Sequence, residues 1–343
     1  MAITPSQHQD LALQMMADDG VVGTEDGIYV QRYRYHAWYH LALTAPDQLR
    51  QRVAWALSQV LVISKDGAGF EDRNFGNGRP AGQERPRWLG PTDFYDLLVS
   101  HAFGDYRELL DDVTYHPVMG VYLSHMRNRK ASENRFPDEN YAREIMQLFS
   151  IGLYELQLDG RFSTTLEGEL IPTYTNETIK EFARVFTGLT FSPRFLNPPS
   201  NSFYGGNDFS LPMVMYQPEH DTDPKTLLNG TVIDLDDGDA EIDAALDNLF
   251  EHDNVAPFIA YRMIQRLVKS NPSRGYIRRV AKAFANNGSG QRGDLGAVTK
   301  AVLLDPEAWR SIRIRQRRSP DRVSVASRGT EYSRLREPTL RYV

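Results

Sequence analysis

The stretch that decides the fold is DENYAREIMQLFSIGL at residues 138–153, which has the clearest helical periodicity in the chain. At about 100° per residue, its apolar side chains fall within one broad arc; they are Tyr141, Ala142, Ile145, Met146, Leu148 and Phe149. Such an arc is typical of a helix that packs one face on a protein core. We therefore expect a helix over residues 138–153, with Ile145 and Phe149 buried at the middle of the packed face.

The opposite face of this helix is polar and carries Asn140, Arg143, Glu144 and Gln147. Asn140, Glu144 and Gln147 lie at positions i, i+4 and i+7, so they form one stripe. Amides orient a carboxylate by hydrogen bonds without neutralising it, which suits a general acid/base or a metal ligand. An ordinary solvated helix face is the alternative. We predict Glu144 as a catalytic carboxylate, and Asn140, Arg143 and Gln147 as binding residues.

Helical spacing also covers most of the remaining chain. It predicts helices at residues 46–63, 93–102, 106–113, 117–127, 176–187, 240–250, 255–269, 275–286 and 294–304. Thr175 or Asn176 is expected to cap the helix at 176–187. Residues 154–174 alternate weakly and predict a small hairpin, whereas 66–92, 128–137 and 192–232 predict loops.

These patterns predict a mainly α fold: an irregular multi-helix globular domain with long loops and at most a small β-hairpin. We expect helices over more than about 40% of the residues, above the usual third. The length suits one large helical domain over residues 1–343, which we expect to be truncated at both ends. The alternative is a division into residues 1–190 and 233–343, joined by the irregular segment 191–232.

The composition excludes several classes of protein and of site. The 343 residues carry a net charge of −6 and no cysteine, which excludes disulfides, thiolate metal sites and a cysteine nucleophile. No apolar run approaches the roughly 18 residues of a membrane-spanning helix, and no signal-peptide pattern opens the chain. The arginine-rich segment 310–343 follows an acidic body, which would repel a polyanion, so nucleic acid is disfavoured as a ligand.

A second polar group lies on the loop EHDTDPKT at residues 219–226. It combines an imidazole, carboxylates and an amine, and functional side chains are frequent on loops held by rigid elements. His220 and Asp221 suit proton transfer or metal binding, and Lys225 suits ligand binding. A purely structural turn is the alternative, because Asp and Pro are turn formers.

Two further regions contain candidate binding residues. His116 precedes a proline, which holds it extended and can aim its side chain into a cleft; capping or filling of a corner is the alternative. On the helix at 255–269, a polar stripe could clamp an acidic group or simply face solvent. The stripe consists of Arg262, Gln265, Arg266 and Lys269. From it we select Gln265 and Arg266 as binding residues.

The order of these motifs resembles the bacterial family catalogued as domain of unknown function 1800. The matching stretches span about residues 30–340 and include LTAPDQLRQRVA at 43–54, HAFG at 101–104, VTYHPVMG at 113–120, PDENYAREIMQLF at 137–149, ARVFTG at 183–188, HDT at 220–222, QRLV at 265–268, SNP at 270–272 and REP at 336–338. The resemblance implies a predominantly helical fold and adds Arg184, within ARVFTG, to the candidate binding residues. It also implies export to the periplasm or the extracellular space, since members of the family often carry an export signal.

Two functions follow as hypotheses. The first is an envelope or extracellular hydrolase-type enzyme acting on a polymer such as a glycan, with Glu144 as acid/base and His220 and Asp221 assisting around a divalent metal. The alternative is a non-catalytic helical binding module for a glycan or another anionic polymer, working with a sulfatase-like partner protein that the resemblance implies. The enzyme requires Glu144, His116 and the His220–Asp221 pair to converge on one pocket, whereas separate surfaces favour the binding module.

Overall fold

The computed structural model of the chain describes residues 4–21, 32–64, 87–192, 203–204, 208–209 and 211–310. Its α-helices are α1 (His8–Asp18), α2 (Arg32–Thr44), α3 (Gln48–Ser58), α4 (Gly90–Ser100), α5 (Tyr106–Tyr115), α6 (Pro117–Tyr122), α7 (Asn140–Gln147), α8 (Asn176–Val185), α9 (Gly238–Phe250), α10 (Val255–Leu267), α11 (Arg274–Ala285) and α12 (Leu295–Leu304). Short 3-10 turns lie at Arg87–Leu89, Gln217–Glu219 and Leu228–Gly230. The described residues are mainly helical, with two small antiparallel two-stranded sheets, which confirms the predicted mainly α class.

The strands are short and pair locally. β1 (Leu189–Thr190) is antiparallel to β2 (Val214–Met215), with Leu189 opposite Met215. β3 (Lys225–Thr226) is antiparallel to β4 (Val232–Ile233), with Lys225 opposite Ile233. The hairpin expected at 154–174 is present as isolated antiparallel bridges, which join Tyr154 to Pro172, Leu156 to Phe162 and Thr164 to Leu170.

Side chains that accept backbone N–H groups mark where several helices begin, because the first turn of a helix has no internal acceptors. Thr175 caps α8 and forms a reciprocal capping box with Thr178, as the sequence predicts. Asp105, Asp237 and Asp294 cap α5, α9 and α12 in the same way. These local signals explain why the starts of the later helices agree closely with the sequence pattern.

The helix expected over residues 138–153 is shorter than predicted. After α7 ends at Gln147, the chain makes a turn in which Leu148 N and Phe149 N both donate to Glu144 O, and Gly152 adopts a positive φ of 74°. A left-handed residue of this kind stops a helix and favours glycine. The turn keeps Ile145 and Phe149 in the core, as predicted, but leaves Leu148 36% exposed, so its place in the buried arc is wrong.

Other boundaries and two whole helices also differ from the prediction. The helices predicted at 46–63 and 117–127 end earlier, at Ser58 and Tyr122, and positive φ angles at Ser124 and Arg127 follow the second of these ends. The patterns above do not predict α1 or α2. In α2 the buried side chains form only a narrow stripe among polar and aromatic residues, namely Tyr33, Ala37 and Leu41.

One continuous hydrophobic core contains residues from Val53 to Ala308 and joins the two parts into which the sequence might divide. A small second cluster lies under α1 and α2 and consists of Ala12, Tyr33, Ala37, Trp88 and Leu89. Within the described ranges, no helix combines the length and the apolar character that crossing a bilayer requires. The arginine-rich segment beyond residue 310 and most of the loop predicted at 66–92 lie outside the described residues.

Candidate functional site

His220 lies in a sealed ionic cluster in the interior. Its Nδ1 is 2.9 Å from Thr187 O, and its Nε2 is 3.0 Å from Glu241 Oε2. Lys225 Nζ lies 2.5 Å from the same carboxylate oxygen and also donates to the carbonyls of Asp221 and Asp223, at 2.6 and 3.0 Å. The side chains of His220, Lys225 and Glu241 are all 0% exposed. A substrate in solution therefore has no access to the imidazole that the sequence offers as a catalytic group.

The charge of Glu241 is stabilised by its two partners. Burial alone would raise the pKa of this carboxyl, but the hydrogen bonds and positive charges of His220 and Lys225 outweigh burial and hold it below its usual value. Glu241 is not among the residues predicted above; it lies in the first turn of α9 and has the pattern of an ordinary acidic helix start. A carboxylate at that place has no local signal that distinguishes it, because its partners are far along the chain.

Arg184 connects the polar loop to α8. It forms a two-pronged ion pair with Asp221, in which Nε lies 3.0 Å from Oδ2 and one terminal nitrogen lies 2.9 Å from Oδ1. Burial favours a higher pKa for Asp221, yet the Arg184 hydrogen bond and charge dominate and lower it. The structure thus brings Arg184, His220, Asp221 and Lys225 together, as a clamp that holds the loop rather than as an open site.

Glu144 lies on α7 in a different polar group, outside the buried cluster of His220, Lys225 and Glu241. Its Oε2 is buried and has no hydrogen-bond partner among the described residues. Burial raises the pKa of this carboxyl above the usual 4.5, although Arg143 opposes the rise. Gln147 Oε1 accepts a long hydrogen bond of 3.4 Å from Tyr174 OH, and the pKa of that phenol is raised by burial, lowered by Arg143 and raised by Glu144.

The predicted support of Glu144 by two amides is not observed. Asn140 is exposed, and within the described part no hydrogen bond joins Glu144 to Asn140 or Gln147. Arg143 pairs with Glu139 at 3.2 Å. Asn140 begins α7 and Gln147 ends it, and the Gln147 amide oxygen accepts from Tyr174 instead of supporting the carboxylate.

Gln147 forms part of the wall of a cavity of about 340 Å³, which we call the Gln147 cavity. Its wall also contains Leu148, Leu153, Phe162, Phe258 and Arg262. The Arg262 guanidinium lies 4.9 Å from the centre of the Phe258 ring, and Phe162 meets Tyr154 edge-on at 5.9 Å. Buried Asn254 fixes this wall, because it accepts from Leu156 N and donates to the carbonyls of Ile151 and Tyr154.

The binding residues predicted on α10 lie beside this cavity but do not line it. Gln265 contacts Arg262 at 3.5 Å and donates to Ser270 O, and Arg266 is exposed. Arg262, which belongs to the predicted polar stripe but is not one of the two binding residues predicted from it, is the stripe residue in the wall. The spacing of four between Phe258 and Arg262 was the signal, since it places both side chains on one helix face.

His116 belongs to another cavity, of about 300 Å³, which we call the His116 cavity. Its Nδ1 accepts the backbone N–H of Val118 at 3.2 Å and so caps α6. Its Nε2 lies 3.4 Å from Asp93 Oδ2. The Gln147 and His116 cavities share no lining residue, and neither Glu144 nor His220 is among the residues that line them. No three metal-ligating side chains in the described ranges are grouped to hold a metal ion.

Comparisons with known proteins give one match. A family model described as "Protein of unknown function (DUF1800)" matches residues 24–338 of the chain. Neither a curated protein nor a solved structure matches the chain.

Proposed function

The chain belongs to the DUF1800 family, and we propose that it is a helical binding module whose ligand is an anionic polymer such as a glycan. The observation that carries this proposal is the make-up of the Gln147 cavity. Its volume of about 340 Å³ lies in the range of small-molecule sites, about 300–1,000 Å³. A cavity of this size suits a short part of a polymer rather than a long segment.

The wall of the Gln147 cavity suits a ligand with flat apolar faces and negative groups. Leu148, Leu153 and Phe162 are 36%, 48% and 55% exposed, and a cluster of exposed apolar side chains marks an interaction surface. Among the described lining residues, Arg262 is the only charged one. A guanidinium recognises sulfate or carboxylate by paired hydrogen bonds, and the half-exposed Phe162 ring offers apolar surface on which a sugar ring can pack.

The separation of the candidate catalytic groups supports a binding role over a catalytic one. Hydrolysis by Glu144 with help from His220 and Asp221 needs these groups around one reacting bond. His220 is fully buried, and Asp221 is held by Arg184. Gln147 and Arg262, which line the Gln147 cavity, are suited to holding a ligand.

The test is binding of dextran sulfate, with uncharged dextran as the matched ligand. We expect saturable binding of dextran sulfate, reduced about tenfold or more by Arg262→Gln, since one charged hydrogen bond contributes about 1.5–3 kcal/mol. Phe162→Ala should weaken binding with little loss of stability, because the ring is half exposed. Arg274→Gln, at an exposed site outside the cavity, is the control. Equal binding of dextran and dextran sulfate, or wild-type affinity in both cavity variants, contradicts the proposal.

A hydrolase-type enzyme is the second candidate, and the state of Glu144 favours it. A carboxyl with a buried, unpaired oxygen and a raised pKa is suited to general acid catalysis. The hydrolase hypothesis includes a divalent metal, but the described side chains form no group of three ligands that would hold one. Release of new reducing ends from a glycan by the wild type, abolished in Glu144→Gln, would replace the binding module by an enzyme.

Export to the periplasm or the extracellular space, and work with a sulfatase-like partner, are proposals that rest on the resemblance alone. Fractionation of producing cells tests the location. Co-purification of the full chain with a sulfatase-like protein tests the partner.

A further inference from the structure

Arg262 is a partly buried arginine that no carboxylate pairs with in the described part of the chain. Its hydrogen bond there runs from Nη1 to Gln265 Oε1 and is long, at 3.5 Å. Arg184, which is buried to a similar degree, instead forms its ion pair with Asp221 at 2.9 Å. A guanidinium that is partly removed from water is stabilised by an anion. The wall of the Gln147 cavity thus contains a cation whose counter-charge is to come from a ligand.

The edge of this guanidinium formed by Nε and Nη2 is the part that a ligand can reach. Neither nitrogen donates a hydrogen bond within the described ranges, and neither belongs to the buried atoms that lack a partner, so solvent reaches both. Their parallel N–H groups match the two oxygens of one carboxylate. A sulfate ester brings a third acceptor oxygen, and the described lining residues include no second cation to meet it.

Gln147 adds a neutral donor to the same wall. Its Oε1 accepts the 3.4 Å bond from Tyr174, whereas its Nε2 makes no hydrogen bond to any described residue. This nitrogen is also absent from the buried atoms that lack a partner, so it is open to solvent. An amide N–H suits a carbonyl oxygen of a ligand.

Most of the remaining wall is apolar, which disfavours a ligand with a hydroxyl at every position. It includes Leu148, Ile151, Leu153, Leu156 and Phe162. A hydroxyl that loses its water against such side chains without gaining a hydrogen bond is destabilising. An acylamino group fits this wall better, because it presents one carbonyl acceptor and one methyl group.

We infer, building on the proposed function, that the polymer unit held in the Gln147 cavity is a sugar acid whose amino group is acylated. Its carboxylate pairs with the Nε–Nη2 edge of Arg262. The carbonyl of its acyl group accepts from Gln147 Nε2, and the acyl methyl group packs on the apolar wall. Tyr154 and Tyr261 also line the cavity, and their hydroxyls, which have no partner among the described residues and are not sealed, serve the ring hydroxyls.

The experiment compares sugars that differ by one group at a time, each titrated into the full chain and followed by NMR. They are N-acetylglucosaminuronate, glucuronate, N-acetylglucosamine and glucose. We expect N-acetylglucosaminuronate to bind most tightly. Loss of the carboxylate should weaken binding about tenfold, and loss of the acetamido group about threefold to tenfold, the effects of a charged and of a neutral hydrogen bond. N-acetylglucosamine sulfated at the carbon that bears the carboxylate should bind less tightly than the acid.

Two cavity variants assign each group to its partner. Arg262→Gln should remove the advantage of the carboxylate and keep that of the acetamido group, whereas Gln147→Met should do the reverse. Arg274→Gln, at an exposed site outside the cavity, is the control and should keep both advantages. Both advantages are ratios measured within one variant, and thermal unfolding shows that each variant is folded.

Equal affinities for the four sugars, tighter binding of the sulfate ester, or advantages that survive in both cavity variants would overturn the inference. Dextran sulfate distinguishes this failure from a failure of the proposed function. If dextran sulfate binds through Arg262 while the acylated sugar acid has no advantage, the inference fails and the proposed function stands. If neither ligand binds, both fail.

Discussion

At the scale of single residues, two glutamates show how surroundings decide the state of the same side chain. Glu241 is fully buried but meets Lys225 at 2.5 Å and His220 at 3.0 Å, so its pKa falls in spite of burial. Glu144 is partly buried without a hydrogen bond to its Oε2, and its pKa rises. The first carboxylate stabilises the fold as an anion, whereas the second is destabilising when ionised.

The raised pKa of Glu144 leads to a prediction about stability and pH. The folded state binds the proton more tightly than the unfolded chain, whose pKa is near 4.5. The contribution of this group to stability is therefore fully present below that pH and is lost as the pH rises through the folded-state pKa. Since glutamine resembles the neutral acid, Glu144→Gln should raise the unfolding midpoint at pH 7, and the gain should vanish below about pH 4, where the acid is already protonated.

Thermal unfolding across this pH range measures the effect. Glu167→Gln, at an exposed position in the hairpin segment, is the matched control and should not change the midpoint. A lower midpoint for Glu144→Gln at pH 7 would mean that the ionised carboxylate has a partner and would contradict the assignment. The same variant separates a role in function from a role in stability. If Glu144 acts on a ligand, Glu144→Gln loses ligand affinity while the fold is kept.

Phe149 gives a second prediction at this scale. Its side chain is 0% exposed in the main core, and its carbonyl accepts the Tyr106 hydroxyl. Phe149→Ala should cost about 3–5 kcal/mol, from lost burial and the cavity that is left. Phe136→Ala removes the same atoms at a side chain that is 84% exposed, and should stay within about 0.5 kcal/mol. Denaturant unfolding of both variants decides; a cost below about 1 kcal/mol for Phe149→Ala would contradict its core position.

At the scale of secondary-structure elements, the ionic contacts join a polar loop and a two-residue strand to two helices that pack on the main core. Lys225 lies on the two-residue strand β3, Glu241 on α9, and Arg184 on α8. Their contacts meet at the loop after the turn at Gln217–Glu219. The cluster therefore holds β3 and the loop against α8 and α9. The two-residue pairing of β3 with β4 would stabilise this arrangement only weakly by itself.

Removal of one partner should show how strongly the buried cluster is coupled. Lys225→Met leaves the Glu241 charge partly uncompensated in the interior and should destabilise the protein by about 3–5 kcal/mol. The double variant Lys225→Met/Glu241→Met removes both charges and should cost less than the sum of the single changes. Denaturant unfolding of the four proteins in this cycle measures the coupling, and Lys180→Met, on the exposed face of α8, is the control. Additive single costs would show that the two charges do not interact.

At the scale of the whole molecule, the main core crosses the segment at which the sequence could divide the chain. It contains Phe149 and Phe182 from one side and Leu246, Met263 and Phe284 from the other. Residues that share one packed core tend to unfold together. The division into 1–190 and 233–343 stays a prediction that packing argues against.

We therefore expect one cooperative thermal transition for the described part of the chain. Far-UV circular dichroism and calorimetry should give coincident midpoints, with equal calorimetric and van't Hoff enthalpies. Two separated transitions, one for each side of residues 191–232, would support the division into two parts. The small cluster under α1 and α2 is attached through the contacts of His8 and Gln9 with Asp96, so Asp96→Asn is a check on whether it unfolds earlier.

The sequence by itself determined the helical class, most helix starts, and the burial of Ile145 and Phe149, because periodicity and capping are local properties that neighbouring residues specify. It also identified the family through its motifs. Only the tertiary structure decided that His220 is buried, that Glu241 pairs there with His220 and Lys225, and that Gln147 and Arg262 share a cavity. The physical reason is that the burial and charge of a polar group depend on partners distant in the chain: Glu241 lies 21 residues from His220, and Asn254 lies 103 residues from the carbonyl of Ile151 that it binds.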